Sequence, residues 1–428
     1  MSTAPACRTN ALTTLGFVLY CVYLLSGFLN DWSMMLFGHK AYLSTVSLIV
    51  LPVLWVFSGN AVRGLHHSVG FCWLAFIFWL MLAAPFSIWK GGSARMLLNV
   101  VPKSYLCLFY ACSFVTSIRR CRFLMYINIV GSVLLLLACS YFGASTPDAT
   151  RFQIPDSLFY ANANDLALTL LLGATPFLFL FPKNGIVRKF VGSAGIMLCT
   201  LYGLKTGSRG CLIAGAGFFA AVVFFSRSKL KVVLVSAPIL VLTPLALPGN
   251  TLHRLSLVFG MPGQAMVETC SDEASLASEF QREGLLRKSL DYTLAHPLFG
   301  VGPDQFATAV FGEAAGAGQN VPWLGTHNTY TQISSECGIP ALLFYCAAIL
   351  LCLRSNYRLY AHTRNNPAHR EIAGLSLSLL AATLVYAVSL FFFHIAYSTL
   401  FPALAGFSAA LDLSSSNTRT PASRCTIL

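Results

Sequence analysis

Long apolar runs recur along almost the whole chain, and they constrain its fold more than any other feature of the sequence. Hydrophobic residues make up 56% of the 428 residues, and charged residues make up only 10%. Because a helix of about 20 residues spans the apolar core of a bilayer, each run of that length is a candidate transmembrane helix. The sequence therefore predicts an all-α, polytopic membrane protein with twelve spans, at residues 11–29, 41–58, 68–86, 96–117, 122–142, 163–182, 187–204, 208–226, 230–248, 329–353, 371–393 and 395–412.

These spans divide the chain into four expected regions. Residues 1–248 hold transmembrane helices 1 to 9, residues 249–328 form a large loop, and residues 329–412 hold helices 10 to 12. The polar segment 413–428 is predicted to be a disordered cytoplasmic tail. The first span lacks a cleavage signature of small residues, so we interpret it as a retained helix instead of a signal peptide.

The positions of lysine and arginine orient these spans. With the N-terminus in the cytoplasm, 17 of the 28 basic residues fall on the cytoplasmic side, as the positive-inside rule requires. The loop at 249–328 then lies outside. The net charge of +13 is thus mainly a topology signal. Nucleic acid is not an expected partner, because the chain carries no basic stripe interleaved with aromatic residues.

The outer loop is the part of the chain where chemistry is expected, since nine of the 15 carboxylates lie in or beside it. Its segment 278–297 opens with Ser278 and Gln281, which is a capping-box pattern, so a helix is predicted there. The leucines at 286, 290 and 294 recur every four residues, which predicts an amphipathic helix lying on the membrane part. A glycine-rich turn, "LFGVGPDQF", follows Pro297.

Two arginines and one histidine stand out near this outer face. Arg209 lies in "KTGSRG" between two spans, where an arginine either snorkels or has an anionic partner. Arg282 lies on the predicted loop helix, where it is either a solvated side chain or a binding group. His327 is either a hydrogen-bonded structural group or a general base, for which an ordinary imidazole pKa of about 6.5 is well suited. Together, the three favour a site for an anionic lipid headgroup and a hydroxyl group, because arginine binds phosphate oxygens bidentately.

The residues after His327 have simpler interpretations. Asn328 and Thr329 are expected to cap the tenth helix. Glu336, nine residues beyond the histidine, either orients a polar partner or bonds within the helix bundle. No Cys/His spacing in the chain indicates a metal site.

Four short segments form an ordered set in about the second two-thirds of the chain. They are "NAND" at 162–165, "TGSRG" at 206–210, "R…HPLFGVGPDQF" at 282–306 and "HNTYTQISSECG" at 327–338. In their order and spacing, and in the large loop between the ninth and tenth spans, they resemble the O-antigen ligase/polymerase superfamily of bacterial membrane glycosyltransferases.

The resemblance implies an activity and its partners. Members move a glycan from undecaprenyl diphosphate to an acceptor hydroxyl, such as one on lipid A-core, at the periplasmic face of the bacterial inner membrane. The implied partners are the lipid-linked glycan donor, a lipid-linked or glycan acceptor, and membrane lipids. No cofactor and no metal ion are implied. Arginines would stabilise the charge on the leaving diphosphate, and a histidine would take the proton of the attacking hydroxyl, with inversion at the anomeric carbon.

The family's essential arginines and histidine correspond to Arg209, Arg282 and His327. The correspondence of Arg282 is counted back from "HPLFGVG", and "REGLL" places Leu286 where the family pattern has tryptophan. Arg287 is therefore an alternative to Arg282. The substrate-binding residues expected from the resemblance and the local sequence are Arg209, Arg282, Arg287, Asn328 and Glu336.

Two alternatives to a ligase stay open at this stage. A polymerase of the same family would extend the lipid-linked glycan instead of moving it to another anchor, although the "TGSRG", arginine and "HN" set slightly favours a ligase. A secondary transporter would need polar or charged residues near the middle of several spans, and only Lys103 clearly meets that requirement. Because charged residues cluster at the outer mouth instead, an interfacial enzyme is the preferred hypothesis.

Overall fold

Helices form nearly all of the computed structural model of this chain. It describes residues 10–39, 42–145, 151–157, 159–182, 185–225, 229, 247, 249, 251–252, 270–316, 318 and 323–416. The first helices are α1 (Ala11–Phe37), α2 (Leu43–Phe57), α3 (Ser68–Ala83), α4 (Lys90–Val100), α5 (Cys107–Phe114), α6 (Ile118–Phe142), α7 (Ala163–Ala174), α8 (Ile186–Lys205) and α9 (Arg209–Phe225). The later helices are α10 (Cys270–Ala295), α11 (Phe306–Gly316), α12 (Thr329–Thr363), α13 (Arg370–Ser389) and α14 (Leu400–Ser416). The predicted all-α class is confirmed.

Short elements join these helices. The 3-10 segments are Ala61–His66, Ala84–Phe86, Thr175–Leu180 and Pro367–His369, and a π-helical turn spans Val101–Tyr105. Two short strands, β1 (Ala144–Ser145) and β2 (Phe152–Gln153), pair antiparallel with Ala144 opposite Gln153. Side-chain caps begin several helices: Asn10 forms a capping box with Thr13, and Asn162 accepts a hydrogen bond from the backbone of Asn164.

Within the described residues, eight helical segments are long and apolar enough to cross a bilayer, so this is a multi-pass membrane protein. The predicted number of twelve spans is not confirmed. The predicted second and eighth spans appear as shorter apolar helices, Ser47–Phe57 and Arg209–Phe225. The predicted twelfth, 395–412, begins later, at Leu400. The ninth, 230–248, lies outside the described residues apart from Leu247, as do residues 417–428 of the predicted tail.

A buried aromatic cluster fixes α12 and the helices around it. Trp73 of α3 lies 5.1 Å from Tyr105, 5.9 Å from Tyr345 and 5.4 Å from Phe401, measured between ring centroids. The hydroxyl groups of Tyr345 and Tyr386 lie 2.7 Å apart. Because these rings come from α3, α12, α13, α14 and the π-helical turn, large aromatic surfaces hold α12 firmly against its neighbours.

The loop helix α10 packs with a different face from the one predicted. Its buried stripe contains Leu285, Ser289 and Thr293, and the Thr293 hydroxyl lies 2.8 Å from the Ser334 hydroxyl of α12. The predicted contact residues are instead exposed, at 37% for Leu286, 47% for Leu290 and 76% for Leu294. The contact with α12 thus includes a hydroxyl pair, Thr293 with Ser334, and does not use the leucine stripe.

Candidate functional site

The glycine-rich turn after α10 fills a break in α12. Gly338 has φ +86°, outside the helical region, and a Cβ at this position would overlap the carbonyl oxygen of Leu298. The freed backbone groups of α12 bond to the turn: Val301 N donates to Ser335 O at 2.8 Å, and Gly302 N donates to Glu336 O at 2.9 Å. Only glycine allows both the positive φ and this close approach, so "ECG" is a docking motif.

The Glu336 side chain also holds the glycine-rich turn in this break. It is 3% exposed, and its carboxylate accepts hydrogen bonds from Asp304 N at 3.0 Å and Phe306 N at 3.3 Å. The Tyr397 hydroxyl also donates to it. Glu336 therefore positions the turn against the 390–399 segment, and it also lines a cavity beside α4. Its expected role in substrate binding stays a prediction.

His327 lies where this scaffold meets the start of α12. Its φ is +53°, and Asp304 has φ +62°, so two of the three described non-glycine residues with positive φ belong to this site. Such backbone strain persists only where the surroundings enforce it, and it is concentrated at functional sites. The His327 ring lies 5.0 Å from the His394 ring at an interplanar angle of 89°. The neighbouring Gly325 leaves room for His394, since a Cβ there would lie 2.8 Å from His394 Cδ2.

The predicted cap at the start of α12 is confirmed. Asn328 Oδ1 accepts hydrogen bonds from Tyr330 N at 2.9 Å and Thr331 N at 3.2 Å. Thr329 ties the same turn to the 390–399 segment, because its hydroxyl donates to Phe393 O at 2.5 Å and accepts from Ile395 N at 3.1 Å. Asn328 and Thr329 therefore fix His327 and His394 relative to each other.

Electrostatics links Arg282 to this histidine pair. Burial, His394 and the positive charge of Arg282 together lower the pKa of His327 from 6.5 to about 4. The Arg282 guanidinium therefore acts on the His327 ring, although 45 residues separate the two along the chain. At neutral pH, the ring is uncharged and one of its nitrogens can accept a proton.

The two candidate arginines of α10 have different surroundings. Arg282 is partly buried and lies three residues before Leu285, on the stripe that faces the protein. Arg287 instead pairs with Glu283 at 2.7 Å, and its side chain is 76% exposed. An exposed pair of this kind is a solvated surface feature. The structure thus favours Arg282 over Arg287 as the site arginine.

Arg209 is the first residue of α9 and follows a turn in which Gly207 has φ +63°. Its neighbour Gly210 packs on Phe392, and a Cβ at Gly210 would lie 2.8 Å from Phe392 Cβ. The "TGSRG" turn therefore rests on the segment that carries His394.

The "NAND" segment joins the same assembly through Arg151. The Arg151 guanidinium donates to Thr206 O at 3.0 Å and to Asn164 Oδ1 at 2.6 Å. Burial lowers the pKa of His394, and the negative charge of Asp165 raises it, so Asp165 lies within electrostatic range of that ring. Segments 162–165, 206–210, 282–306 and 327–338 thus converge around residues 390–399.

A cavity of about 600 Å³ opens beside the histidine pair. Its walls come from α4, the start of α11, residues 323–325 and α12, and His394 forms part of its surface. Arg209, Arg282 and His327 are not among the residues that line it. The predicted arginines and histidine therefore do not form the cavity wall, and His327 approaches it through its ring contact with His394.

His394 is the residue that the sequence analysis missed. It is the single position left between the predicted spans 371–393 and 395–412, inside "FFFHIAY". An ionisable residue within an apolar run is a functional candidate by itself, and that signal was present in the sequence. Within the described residues, no group of three or more His, Cys, Asp or Glu side chains has the arrangement of a metal site.

Comparison with known families gives one match. Residues 192–346 match the family model described as O-antigen ligase. The matched region contains Arg209, Arg282, His327 and the glycine-rich turn, whereas His394 and α4 lie outside it. No curated protein matches the chain.

Proposed function

Since residues 192–346 form an O-antigen ligase family domain in a multi-pass membrane protein, we propose that the chain is a glycan ligase with a periplasmic active site. It moves a glycan from undecaprenyl diphosphate to an acceptor hydroxyl, such as one on lipid A-core, at the bacterial inner membrane. The donor and acceptor are both held in the membrane by lipid anchors. A site at the bilayer surface lets both lipids approach laterally.

The observation that carries the proposal is the position of His327. It lies in a strained backbone conformation, stacked edge-on against His394, and within the field of Arg282. A helix cap and hydrogen bonds to the 390–399 segment fix it there. A histidine with a purely structural role would not need the strained backbone, the neighbouring imidazole and the nearby guanidinium.

The arginines supply the electrostatic half of the mechanism. Breaking the bond between the sugar and the diphosphate leaves negative charge on the departing oxygen. Arg282 and Arg209 stabilise that charge, since guanidinium groups bind phosphate oxygens with paired hydrogen bonds. We propose that they take the role a divalent cation has in other glycosyltransferases, so transfer is expected to persist in EDTA.

His327 supplies the proton acceptor. The acceptor oxygen bonds to the anomeric carbon, the bond to the diphosphate oxygen breaks, and the hydroxyl proton moves to His327. Undecaprenyl diphosphate then leaves, and attack from the opposite side inverts the anomeric centre. A bound diphosphate offsets the charge of Arg282 and raises the pKa of His327, so donor binding strengthens the base when it is needed.

Transfer by the purified protein in liposomes tests this proposal. The donor is a glycan on undecaprenyl diphosphate, and the acceptor is lipid A-core. His327→Ala is expected to lower the rate about 10²–10⁴-fold, because it removes a general base. The matched control is His362→Ala, at the opposite end of α12, where the ring is exposed and bonds to Arg358 O.

The same assay separates a ligase from a polymerase. A ligase gives a product on lipid A-core, whereas a polymerase lengthens the donor glycan when no lipid A-core is present. Near-normal transfer by the His327→Ala protein would remove this histidine from the mechanism.

A further inference from the structure

The cavity beside the histidine pair has the lining of a sugar-binding site. Two indole rings, Trp89 and Trp323, contribute to it and are 52% and 60% exposed. Gly92 lets Trp89 fold over α4, because a Cβ at Gly92 would lie 2.5 Å from Trp89 Cε3. Phe311 supports Trp323, with ring centroids 5.7 Å apart. Both rings are therefore held by the protein and present large surfaces to a ligand.

Amide side chains form the polar part of the lining. Gln305 and Gln332 are only 2% and 6% exposed. Their oxygens accept hydrogen bonds from the protein, from Thr308 Oγ1 at 3.0 Å and from Ala396 N at 3.2 Å. The Gln305 amide nitrogen also donates one hydrogen bond to Pro303 O at 3.3 Å. These bonds orient both amides and leave one N–H of Gln305 and the N–H groups of Gln332 for a ligand. Asn99 of α4 adds a third amide.

This lining fits a sugar ring better than a lipid tail or a phosphate group. A lipid tail would leave buried amides without partners, at a cost in free energy. A phosphate site needs several cations, but among the described residues that line the cavity Arg95 is the only lysine or arginine. A pyranose ring has apolar C–H faces for the indoles and hydroxyl groups for the amides.

We propose that this cavity binds a sugar ring of the acceptor glycan, with Trp89 and Trp323 as stacking platforms and the amides as hydrogen-bond partners. The inference rests on the proposed transfer reaction. Arg282 lies within electrostatic range of His327, the His394 ring makes an edge contact with the His327 ring, and His394 also lines the cavity. The cavity is thus joined to the proposed base through His394, which lines the cavity and contacts the His327 ring.

Kinetics with each substrate varied separately tests the assignment. Trp323→Ala and Trp89→Ala are each expected to raise the KM for acceptor about 10-fold, as the loss of an aromatic contact does. The KM for donor and kcat at saturating acceptor should stay unchanged. Trp323→Phe should restore most of the loss, because it keeps a ring. The matched control is Tyr141→Ala on α6, which removes an aromatic side chain that is 75% exposed and outside the cavity.

A binding measurement makes the result independent of turnover. The probes are two lipid-free oligosaccharides released by mild acid from cells that carry this protein, one from lipid A-core and one from the O-antigen. Wild type and His327→Ala should bind the acceptor oligosaccharide equally, as measured by saturation-transfer NMR on the purified protein. That is the lipid A-core oligosaccharide for a ligase and the O-antigen oligosaccharide for a polymerase. Trp323→Ala should weaken that binding about 10-fold.

The outcomes distinguish this inference from the proposed function. Binding that depends on Trp323, in a wild type that performs no transfer, would contradict the proposed function and support the sugar site. Normal acceptor KM and binding in both tryptophan variants of an active enzyme would overturn the sugar site. A change confined to the donor KM, or binding of neither oligosaccharide by the wild type, would also overturn it.

Discussion

Arg282 and Arg287 have the same charge and lie five residues apart on one helix, yet we expect them to differ in function. Arg282→Ala should lower transfer about 10²–10³-fold, as does removal of one group that stabilises charge in a transition state. Arg287→Ala should leave transfer nearly unchanged, because its partner is the exposed Glu283. Initial rates in liposomes, normalised to the amount of inserted protein, check both values. A larger loss for Arg287→Ala than for Arg282→Ala would reverse the assignment.

The lowered pKa of His327 predicts an unusual dependence on pH. The neutral ring is the active form, so activity is present above the pKa of His327 and is lost as the pH falls through it. In the free protein that pKa is about 4, and kcat/KM for the donor should keep its value down to that region. Donor diphosphate raises the pKa, so kcat should fall at a higher pH than kcat/KM. If kcat and kcat/KM fell at the same acidic pH, that result would contradict the role given to the diphosphate.

For single residues, the sequence indicated which side chains are candidates for function, but it indicated less well which other side chains they contact. Arg209, Arg282 and His327 were predicted from their placement at the outer face together with the family resemblance, and Asn328 was correctly predicted as a cap. The role of Glu336 depends on a turn 30 residues earlier in the chain, and so no local pattern contains it. His394 was missed because a single polar residue between two apolar runs resembles a loop.

Among the elements, the broken helix α12 determines whether the site forms. We expect Gly338→Ala to destabilise the protein by at least about 1–3 kcal/mol, since a side chain at this φ is strained and a Cβ would also overlap Leu298 O. Because the substitution displaces the glycine-rich turn, it should also lower the rate of glycan transfer. Thermal unfolding of the purified protein, followed by tryptophan fluorescence, measures the first effect.

Gly312 of α11 provides the control for this substitution. A Cβ at Gly312 has no neighbour within 4 Å, and the residue is exposed in a helix. Gly312→Ala should therefore be neutral or stabilise the protein by up to about 1 kcal/mol. Equal unfolding temperatures for the two variants would contradict the docking role of Gly338.

The docking of α10 shows where periodicity alone fails. A leucine every four residues predicted that 286, 290 and 294 face the protein, but the buried stripe is displaced by one residue and includes Ser289 and Thr293. Hydropathy could not reveal this stripe, because serine and threonine are polar residues that hydropathy places at the surface. The hydroxyl group of Thr293 can be buried here because it bonds to Ser334 and to its own helix. The same shift places Arg282 on the inward side.

For the whole molecule, composition was enough to predict a helical membrane protein, but not the number of spans. Apolar runs near 41–58 and 208–226 form helices shorter than the runs themselves. The run at 395–412 begins with a non-helical segment, because Thr329 and Gln332 of α12 accept hydrogen bonds from its backbone at Ile395 and Ala396. The irregular 390–399 segment is the place where the distant motifs meet, so this error in the predicted spans falls at the candidate site.

The central claim is that residues far apart in the chain act as one site, and coupling between Arg209 and His327 tests it most directly. Transfer rates are measured for Arg209→Ala, His327→Ala and the double variant. Groups that act together in one transition state are strongly non-additive, so the double variant should lose little more than the worse single variant. A loss in the double variant equal to the product of the two single losses would show that Arg209 and His327 work independently, and it would contradict the account.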